Sequence, residues 1–291
     1  MKLLANAKLN LTLEVGGRRA DGYHNIDTVM HSISLCDVVT LGASASVEVT
    51  CAGLDCDAQD NIAYKAARAF FTRTGLSGGV RIDISKGIPV GAGLGGGSAD
   101  AAAVLRGLNA MNNSPLDTDA LLALAAGLGA DVPFCLLGGA ARCRGVGEHV
   151  TPLPTAGGVH AVVVFDGLAA DTGEMYRRLD AFIGARPAHD HDAAVRAVAA
   201  GDPRAIAAAL SNDFDALTSS PLAERWVRCS RAAAALPSVS LPTRRLRKPA
   251  LLCSAAACSL PGTLFCIRRN PRLEGSTPFL LIMQCGFALS V

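Results

Sequence analysis

The most informative part of this chain is Ile88-Pro89-Val90-Gly91-Ala92-Gly93-Leu94-Gly95-Gly96-Gly97-Ser98-Ala99-Asp100, in which five of the seven residues from Gly91 to Gly97 are glycines. An alanine-rich stretch that predicts a helix, residues 99–111, follows directly. Glycines allow several backbone N–H groups to point at one position because no Cβ stands in the way. The start of a helix adds its own free N–H groups and the positive end of its dipole. Such a loop is typical of a phosphate site and predicts that the chain binds a nucleotide.

Three other interpretations of this loop differ in how well they fit. A P-loop requires a lysine directly after its last glycine, whereas Gly97 is followed by Ser98, so this motif is excluded. The dinucleotide-binding pattern matches literally, with Asp117 about 20 residues further on, but that loop normally lies in the first βα turn of its domain. About ninety residues precede the loop here. A glycine-rich turn without a ligand is disfavoured because a clear helix pattern follows so many glycines.

Pro89-x-Gly91-x-Gly93-Leu94-Gly95-Gly96-Gly97-Ser98-Ala99 resembles the ATP-binding motif of the GHMP kinases, the family of galactokinase, homoserine kinase, mevalonate kinase and phosphomevalonate kinase. Two N-terminal motifs, Ala7-Lys8-Leu9-Asn10-Leu11 and Arg19-Ala20-Asp21-Gly22-Tyr23-His24, resemble more narrowly the 4-diphosphocytidyl-2-C-methyl-D-erythritol kinases of the non-mevalonate isoprenoid route. Segments 59–62, 128–134, 145–148 and 212–214 agree with that family in order and spacing. The resemblance covers about residues 3 to 224.

The pattern of apolar residues predicts an α+β protein. Strands are expected over 3–15, 26–41, 45–52, 80–86 and 160–165, helices over 61–74, 97–111, 117–128, 172–184, 190–200 and 203–211, and a hairpin over 138–150. The resemblance implies the two-domain GHMP kinase fold. It assigns residues 1–155 to the N-terminal ATP-binding domain and residues 156–224 to the start of a ferredoxin-like C-terminal domain. We place the boundary at Pro152-x-Pro154.

The resemblance implies ATP-dependent phosphorylation of the 2-hydroxyl of 4-diphosphocytidyl-2-C-methyl-D-erythritol, with Mg²⁺ as cofactor and no metal ligand assigned in the protein. Phosphoryl transfer needs charge neutralisation and a group that orients or deprotonates the acceptor hydroxyl. Asp131 is the candidate base, and from the residues alone it equally fits a cap of the next helix. Lys8 lies within an apolar strand, where a lysine usually faces solvent. The resemblance instead places Lys8 beside the aspartate and the transferred group.

Further site residues follow from the resemblance. Asn10 lies on the same strand face as Lys8 and is expected near the acceptor hydroxyl. A cytidine diphosphate group is expected beside three other side chains. Tyr23 stacks on one face of the base, Tyr176 lies on the other face, and His24 hydrogen-bonds the edge of the base. The ATP-binding residues are Asn61, Lys86, Pro89, Gly91, Gly93, Leu94, Gly95, Gly96, Gly97 and Ser98. Three of these have a second interpretation: Asn61 and Ser98 as helix caps, and Lys86 as a solvated lysine. The tyrosine–histidine pair argues against homoserine kinase, another member of the superfamily.

The C-terminal region, residues 225–291, departs from the family. It holds 10 basic residues and 1 acidic residue, a net charge of +9, whereas the preceding residues hold 17 and 24, a net charge of −7. The second glycine-rich motif of the family is missing, and Ser259–Phe265 is at most a degraded version of it. A nucleic-acid arm and a metal site both fit poorly, since the tail lacks interleaved aromatics, paired cysteines and histidine. We favour translation out of frame, which DNA sequencing tests. The missing motif keeps a catalytically inactive nucleotide-binding protein as an alternative.

Composition bounds the remaining properties. A chain of 291 residues, half of them apolar, can bury a substantial core. No apolar run reaches the roughly 18 residues of a membrane span. The apolar run at the N-terminus is also too short for a signal peptide. The five cysteines before the tail (Cys36, Cys51, Cys56, Cys135 and Cys143) lie in apolar segments and are expected to be buried free thiols. We therefore expect a cytoplasmic protein that binds neither membrane nor nucleic acid, with its oligomeric state left open.

Overall fold

A computed structural model of the chain describes residues 1–51, 59–155, 159–165, 172–217, 263–266 and 280–285. The strands are β1 Lys2–Arg18, β2 His24–Ser44, β3 Val47–Cys51, β4 Gly79–Ser85, β5 Ala140–Gly145, β6 His149–Leu153, β7 His160–Phe165, β8 Ser211–Asn212, β9 Thr263–Cys266 and β10 Leu280–Cys285. The helices are α1 Ile62–Thr74, α2 Gly96–Met111, α3 Thr118–Ala126, α4 Val132–Leu137, α5 Thr172–Asp180, α6 His191–Ala200 and α7 Pro203–Ala209, followed by a 3-10 helix, Asp213–Leu217.

The two long strands β1 and β2 form the centre of the main sheet. In the described residues this sheet has seven strands in the order β3-β4-β2-β1-β8, with β5 paired to β2 and β6 to β5. Strands β1 and β2 run antiparallel, and the register shifts between Asn6 and Lys8 and again between Asn10 and Thr12. These irregularities flank the part of β1 that carries Lys8 and Asn10, and β-bulges commonly re-aim side chains in this way.

Helix α2 lies at the centre of the core. It packs against α1, α4, β1 and β2. Its alanines Ala99, Ala101, Ala102 and Ala103 are all buried, as are Val104 and Leu105. Most sides of α2 carry alanine or aliphatic side chains and are buried, and the small side chains let α1 and the sheet approach it closely. The core therefore holds the start of α2, which follows the glycine-rich loop, in a defined position.

A second, smaller sheet contains the described part of the C-terminal region. Its central strand β7 pairs in parallel with β10 and antiparallel with β9. Strands β9 and β10 both fall within residues 225–291, so two segments of this region are strands, and the rest of it lies outside the described residues. Strand β8, by contrast, joins the main sheet through β1. The expected domain boundary near residue 155 stays a prediction.

Most of the expected elements are present, and the α+β class is confirmed. The strands and helices up to residue 128 agree with the pattern to within a few residues, whereas α5 ends at Asp180 and α7 at Ala209, earlier than expected. Five short elements of the described residues were not predicted: α4, β8, the 3-10 helix, β9 and β10. Helix α4 has only six residues, all of them apolar, so it carries no periodic signal.

Four of the five cysteines expected to be free thiols lie in the described residues. None of these four forms a disulfide, and Cys135 and Cys143 are buried, whereas Cys36 and Cys51 are half-buried. Cys56 lies outside the described residues. Among the helices that the structure describes, none has the length and apolar character needed to cross a bilayer.

Candidate active site

Lys8 and Asp131 form a buried ion pair. The Nζ atom of Lys8 lies 3.3 Å from Oδ2 of Asp131, with side-chain exposures of 0% and 4%. Lys8 projects from β1, and Asp131 directly precedes α4. Asp131 occupies the N-cap position of that helix, but its side chain makes no capping hydrogen bond, so the cap interpretation does not account for the carboxylate. The sequence expectation that Lys8 and Asp131 lie side by side is met by the geometry.

Asn10 lies on the same face of β1 and extends this pair. Nζ of Lys8 donates to Oδ1 of Asn10 at 3.3 Å. Nδ2 of Asn10 is buried without a hydrogen-bond partner among the described residues, and Oδ2 of Asp131 has the Lys8 ammonium as its ion-pair partner at 3.3 Å but no other polar contact there. A buried polar atom without a partner is costly. The two atoms are a donor and an acceptor, and one hydroxyl group satisfies both, because a hydroxyl donates once and accepts as well.

Burial raises the pKa of Asp131, and the adjacent Lys8 ammonium opposes that rise. The burial of Tyr176 raises the pKa of its hydroxyl, and the negative charge of Asp131 raises that pKa further. Tyr176 therefore lies within electrostatic reach of Asp131. A carboxylate held in a dry site with a raised pKa is a better proton acceptor than one in water. This arrangement suits a group that takes up or orients a proton.

The glycine-rich loop lies against this pair. The backbone N–H of Lys8 donates to the Leu94 carbonyl at 3.0 Å. Gly91, Gly93 and Gly95 have φ angles of 73°, 69° and 70°, in the left-handed region that glycine adopts without strain. A Cβ at Gly95 would lie 3.0 Å from Cγ of Lys8. Glycine at this position therefore lets the loop contact the catalytic lysine candidate directly.

Helix α2 begins at the end of this loop. Its N-cap is Gly95, with no side-chain capping bond, and Ser98 is buried in the first turn. The alternative interpretation of Ser98 as the N-cap is therefore wrong. The first helical hydrogen bond runs from the N–H of Ala99 to the Gly95 carbonyl. The N–H groups of Gly96, Gly97 and Ser98 consequently have no acceptor within the helix, which is the arrangement that binds phosphate at a helix start.

Asn61 caps α1, and its side chain accepts a hydrogen bond from the N–H of Ala63 at 2.9 Å. Its interpretation as a cap is confirmed. A Cβ at Gly97 would lie 3.4 Å from Cγ2 of Ile62, so the start of α1 adjoins the start of α2. Asn61 is thus placed next to the glycine-rich loop, as an adenosine contact would require, and that contact stays a prediction.

Lys86 is held between two carboxylates, Asp37 and Asp100, and its side chain is only 17% exposed. The alternative interpretation as a solvated lysine is wrong, because the side chain is largely buried and paired with two carboxylates. Asp37 also accepts hydrogen bonds from the N–H groups of Gly87 and Ile88 at 2.7 and 2.8 Å. The trio of Asp37, Lys86 and Asp100 therefore braces the entry to the glycine-rich loop. Sequence analysis missed Asp37 and Asp100, since no local pattern links positions 37, 86 and 100.

Tyr23, His24 and Tyr176 come together around a cavity of about 460 Å³, which is also lined by Arg18, Arg177 and Asp180. Tyr23 is half exposed, whereas His24 is buried. The rings of His24 and Tyr176 stack with centroids 4.8 Å apart and an interplanar angle of 9°. Tyr176 also contacts Phe214 edge-on. The cavity thus offers aromatic faces, a polar ring edge and two guanidinium groups to one ligand.

Comparisons with known proteins place this site in context. Residues 61–139 match the model of the GHMP kinases N terminal domain. A 4-diphosphocytidyl-2-C-methyl-D-erythritol kinase of Alkaliphilus metalliredigens is 42% identical over 223 residues, which is 75% of this chain and 76% of the relative. A crystal structure of a 4-(cytidine 5'-diphospho)-2C-methyl-D-erythritol kinase is 44% identical, covers 69% of this chain and 72% of its own, and has a TM-score of 0.57.

A homoserine kinase from Cytophaga hutchinsonii superimposes with a TM-score of 0.61 over 80% of this chain and 79% of its own, at 17% identity. At that identity the likeness concerns the fold alone.

Proposed function

Because the chain belongs to the family of 4-diphosphocytidyl-2-C-methyl-D-erythritol kinases, we propose that it transfers the γ-phosphoryl group of ATP to the 2-hydroxyl of that alcohol, a step of the non-mevalonate isoprenoid pathway. The observation that carries the proposal is the position of the Lys8–Asp131 pair. It is buried, it lies against the glycine-rich loop, and it adjoins Nδ2 of Asn10, which has no hydrogen-bond partner among the described residues. Phosphoryl transfer needs positioning of the acceptor hydroxyl and charge stabilisation beside the phosphates, and this arrangement can supply both.

In the proposed reaction these side chains act as follows. The substrate hydroxyl donates its proton towards Oδ2 of Asp131 and accepts a hydrogen bond from Nδ2 of Asn10. Its oxygen then attacks the γ-phosphorus, the bond between that phosphorus and the β,γ-bridging oxygen breaks, and ADP leaves. The proton passes to Asp131. The Lys8 ammonium stabilises the charge that develops on the transferred group, and it also keeps Asp131 ionised before the transfer.

ATP is proposed to bind with its phosphates over the free N–H groups at the start of α2. Three consecutive amides and the positive end of the helix dipole point at this position. Pro89 and Leu94 shape the loop, and Asn61 at the start of α1 lies where a nucleoside would extend. The brace of Asp37 and Lys86 fixes the approach to the loop, so we assign Lys86 to loop positioning as well as to the nucleotide site.

Mg²⁺ is proposed to accompany ATP and to neutralise charge on its phosphates. The described residues contain no cluster of three acidic, histidine or cysteine side chains that would hold a metal alone. This fits a cation bound chiefly through phosphate oxygens, and we propose the Ser98 hydroxyl, in the first turn of α2, as a protein contact for it. We also propose that the chain acts in the cytoplasm on a small-molecule substrate.

The cytidine diphosphate end of the substrate is proposed to occupy the cavity beside α5. Tyr23 and Tyr176 supply faces on which a base can stack, and His24 supplies a polar edge. Arg18 and Arg177 line the same cavity, and guanidinium groups pair well with diphosphate oxygens. The charge of Asp131 contributes to the raised pKa of the Tyr176 hydroxyl, which supports the proposal that one substrate extends from this cavity to the reacting pair.

ADP release by the full-length chain tests the proposal. The assay contains ATP, Mg²⁺ and 4-diphosphocytidyl-2-C-methyl-D-erythritol, with homoserine and a reaction without acceptor as controls. We expect ADP only with the cytidine-containing alcohol. ADP with homoserine alone would identify a different kinase of the superfamily. Absence of ADP from folded protein that binds ATP would identify an inactive nucleotide-binding protein, the alternative raised by the missing C-terminal glycine motif.

A further inference from the structure

Helix α5 contacts the His24 ring twice, with Tyr176 on one face of the ring and Asp180 at one edge. Tyr176 and Asp180 are four residues apart on α5, so their side chains lie on the same side of the helix. Tyr176 stacks on the imidazole at 4.8 Å. Oδ1 of Asp180 lies 2.8 Å from Nε2 of His24. His24 is 7% exposed, so its ring has a fixed plane and a fixed edge towards the cavity.

The contact with Asp180 decides which ring nitrogen carries the proton. An ionised carboxylate only accepts hydrogen bonds, so Nε2 of His24 must be the donor. In the neutral imidazole the other nitrogen, Nδ1, is then an acceptor. Within the part of the chain that the structure describes, the hydrogen bond of the His24 ring runs through Nε2 to Asp180. Because His24 lines the cavity, a ligand there that reaches Nδ1 meets a lone pair and not an N–H group.

We propose that Asp180 is a specificity-determining positioning residue, which fixes the tautomer of His24 so that the cavity selects a pyrimidine carrying an exocyclic amine over one carrying a carbonyl at that position. This inference rests on the proposed function. Cytosine offers an amine donor at C4, whereas uracil offers an acceptor there. A base bonded edge-on to His24 lies in the plane of the imidazole and hence parallel to the Tyr176 ring, so edge bonding and stacking are compatible.

The expected size of the selection follows from the cost of opposing two acceptors. A well-placed base contact discriminates by roughly 10- to 100-fold. Asp180 acts only through His24, so its loss should leave stacking and phosphate contacts unchanged. Loss of Asp180 should therefore change the ratio of the CDP and UDP affinities. A purely structural role would instead lower both affinities together.

The test compares CDP and UDP binding by calorimetry for the full-length chain and two variants. Asp180→Asn carries an amide that serves either tautomer, and Asp180→Ala carries no partner, so both should reduce the CDP preference at least about 10-fold. Glu174→Gln is the matched control. It removes a charge from the same helix, but Glu174 pairs with Arg177 and not with His24, and the preference should stay unchanged.

Nitrogen NMR of labelled histidine gives an independent readout. We expect a protonated Nε2 in the unmodified chain and a mixture of tautomers in Asp180→Ala. An unchanged CDP preference in both Asp180 variants would overturn the inference, as would a protonated Nδ1 in the unmodified chain. ADP release is measured on the same preparations. If ADP forms and the preference does not respond, only this inference fails, whereas absence of ADP formation counts against the proposed function.

Discussion

Nζ of Lys8 and Oδ2 of Asp131 are 3.3 Å apart in a site from which water is excluded, one on the central strand and the other at the start of a short helix. A buried ion pair is rarely an efficient source of stability, because desolvation of both charges offsets most of their attraction. The Lys8–Asp131 pair lies beside a phosphate-type loop, which suits a role in catalysis better than a role in stability. The two charges are arranged to handle a proton and a phosphoryl group at the same place.

Asp131→Asn should lower kcat by about 100- to 10,000-fold, the usual contribution of a proton-transfer group. Asparagine keeps the shape and one acceptor but cannot take up a proton. The KM values for both substrates should change little, since the asparagine side chain still fills the site. Steady-state kinetics with the cytidine-containing alcohol measure this. Asp60→Asn, at a side chain 82% exposed, is the control, and a kcat near that of the control would refute Asp131 as the base.

The two charges should also be coupled in stability. Lys8→Met leaves Asp131 buried without its counter-charge, and Asp131→Asn does the same to Lys8, so each should lower the free energy of unfolding by about 3–5 kcal/mol. The double variant removes both charges and should lose clearly less than the sum of the two single losses. Urea unfolding of the four proteins measures this coupling. Strict additivity would mean that the pair does not interact in the folded chain.

The residues alone were sufficient to predict the glycine-rich loop and its helix, whereas the pairing of Lys8 with Asp131 was expected only from the family resemblance. Glycines at alternate positions signal left-handed backbone, and the alanine run signals a helix packed on all sides. The brace around Lys86 was not predictable, because Asp37, Lys86 and Asp100 meet only when β2, the loop entry and α2 assemble. Asp180 was missed for the same reason, since its partner is 156 residues away.

Short elements and the C-terminal region were also not predictable from the sequence. Helix α4 is too short and too uniformly apolar for a periodic signal, and β8 has only two residues. The charge reversal after residue 224 is visible in sequence, but its cause is not. Strands β9 and β10 nevertheless pair with β7, so part of this region joins a sheet. Sequencing of the encoding DNA remains the test of a shifted frame.

Gly95→Ala should impair catalysis more than stability. A Cβ there would lie 3.0 Å from Cγ and 3.2 Å from Cε of Lys8, and alanine at a φ of 70° costs about 1–2 kcal/mol. We expect kcat to fall at least about 10-fold, since each 1.4 kcal/mol of transition-state stabilisation is a factor of ten, and KM for ATP to rise because the loop moves. Gly127→Ala is the matched control, with a φ of −72° and its nearest contact at 3.5 Å. Equal kinetics for the two variants would show that the loop tolerates a side chain against Lys8.

The trio of Asp37, Lys86 and Asp100 should make the free energy of unfolding depend on pH, and one substitution should remove that dependence. Burial, together with the charge of Asp37, raises the pKa of Asp100 to about 7 from its ordinary 3.8, although Lys86 opposes the rise. The folded chain therefore binds more protons than the unfolded chain between these values. Its stability from this group is present at low pH and is lost as pH rises from about 4 to 7.

Asp100→Asn cannot titrate and still accepts a hydrogen bond from Lys86, so its unfolding free energy should fall less over that range than that of the unmodified chain. Thermal or urea unfolding between pH 4 and pH 8 measures the difference between the two curves, which cancels the titration of all other groups. Asp60→Asn, at an exposed side chain, should run parallel to the unmodified chain. Parallel curves for Asp100→Asn as well would mean that Asp100 is ionised throughout, and that Lys86 neutralises both carboxylates of the brace.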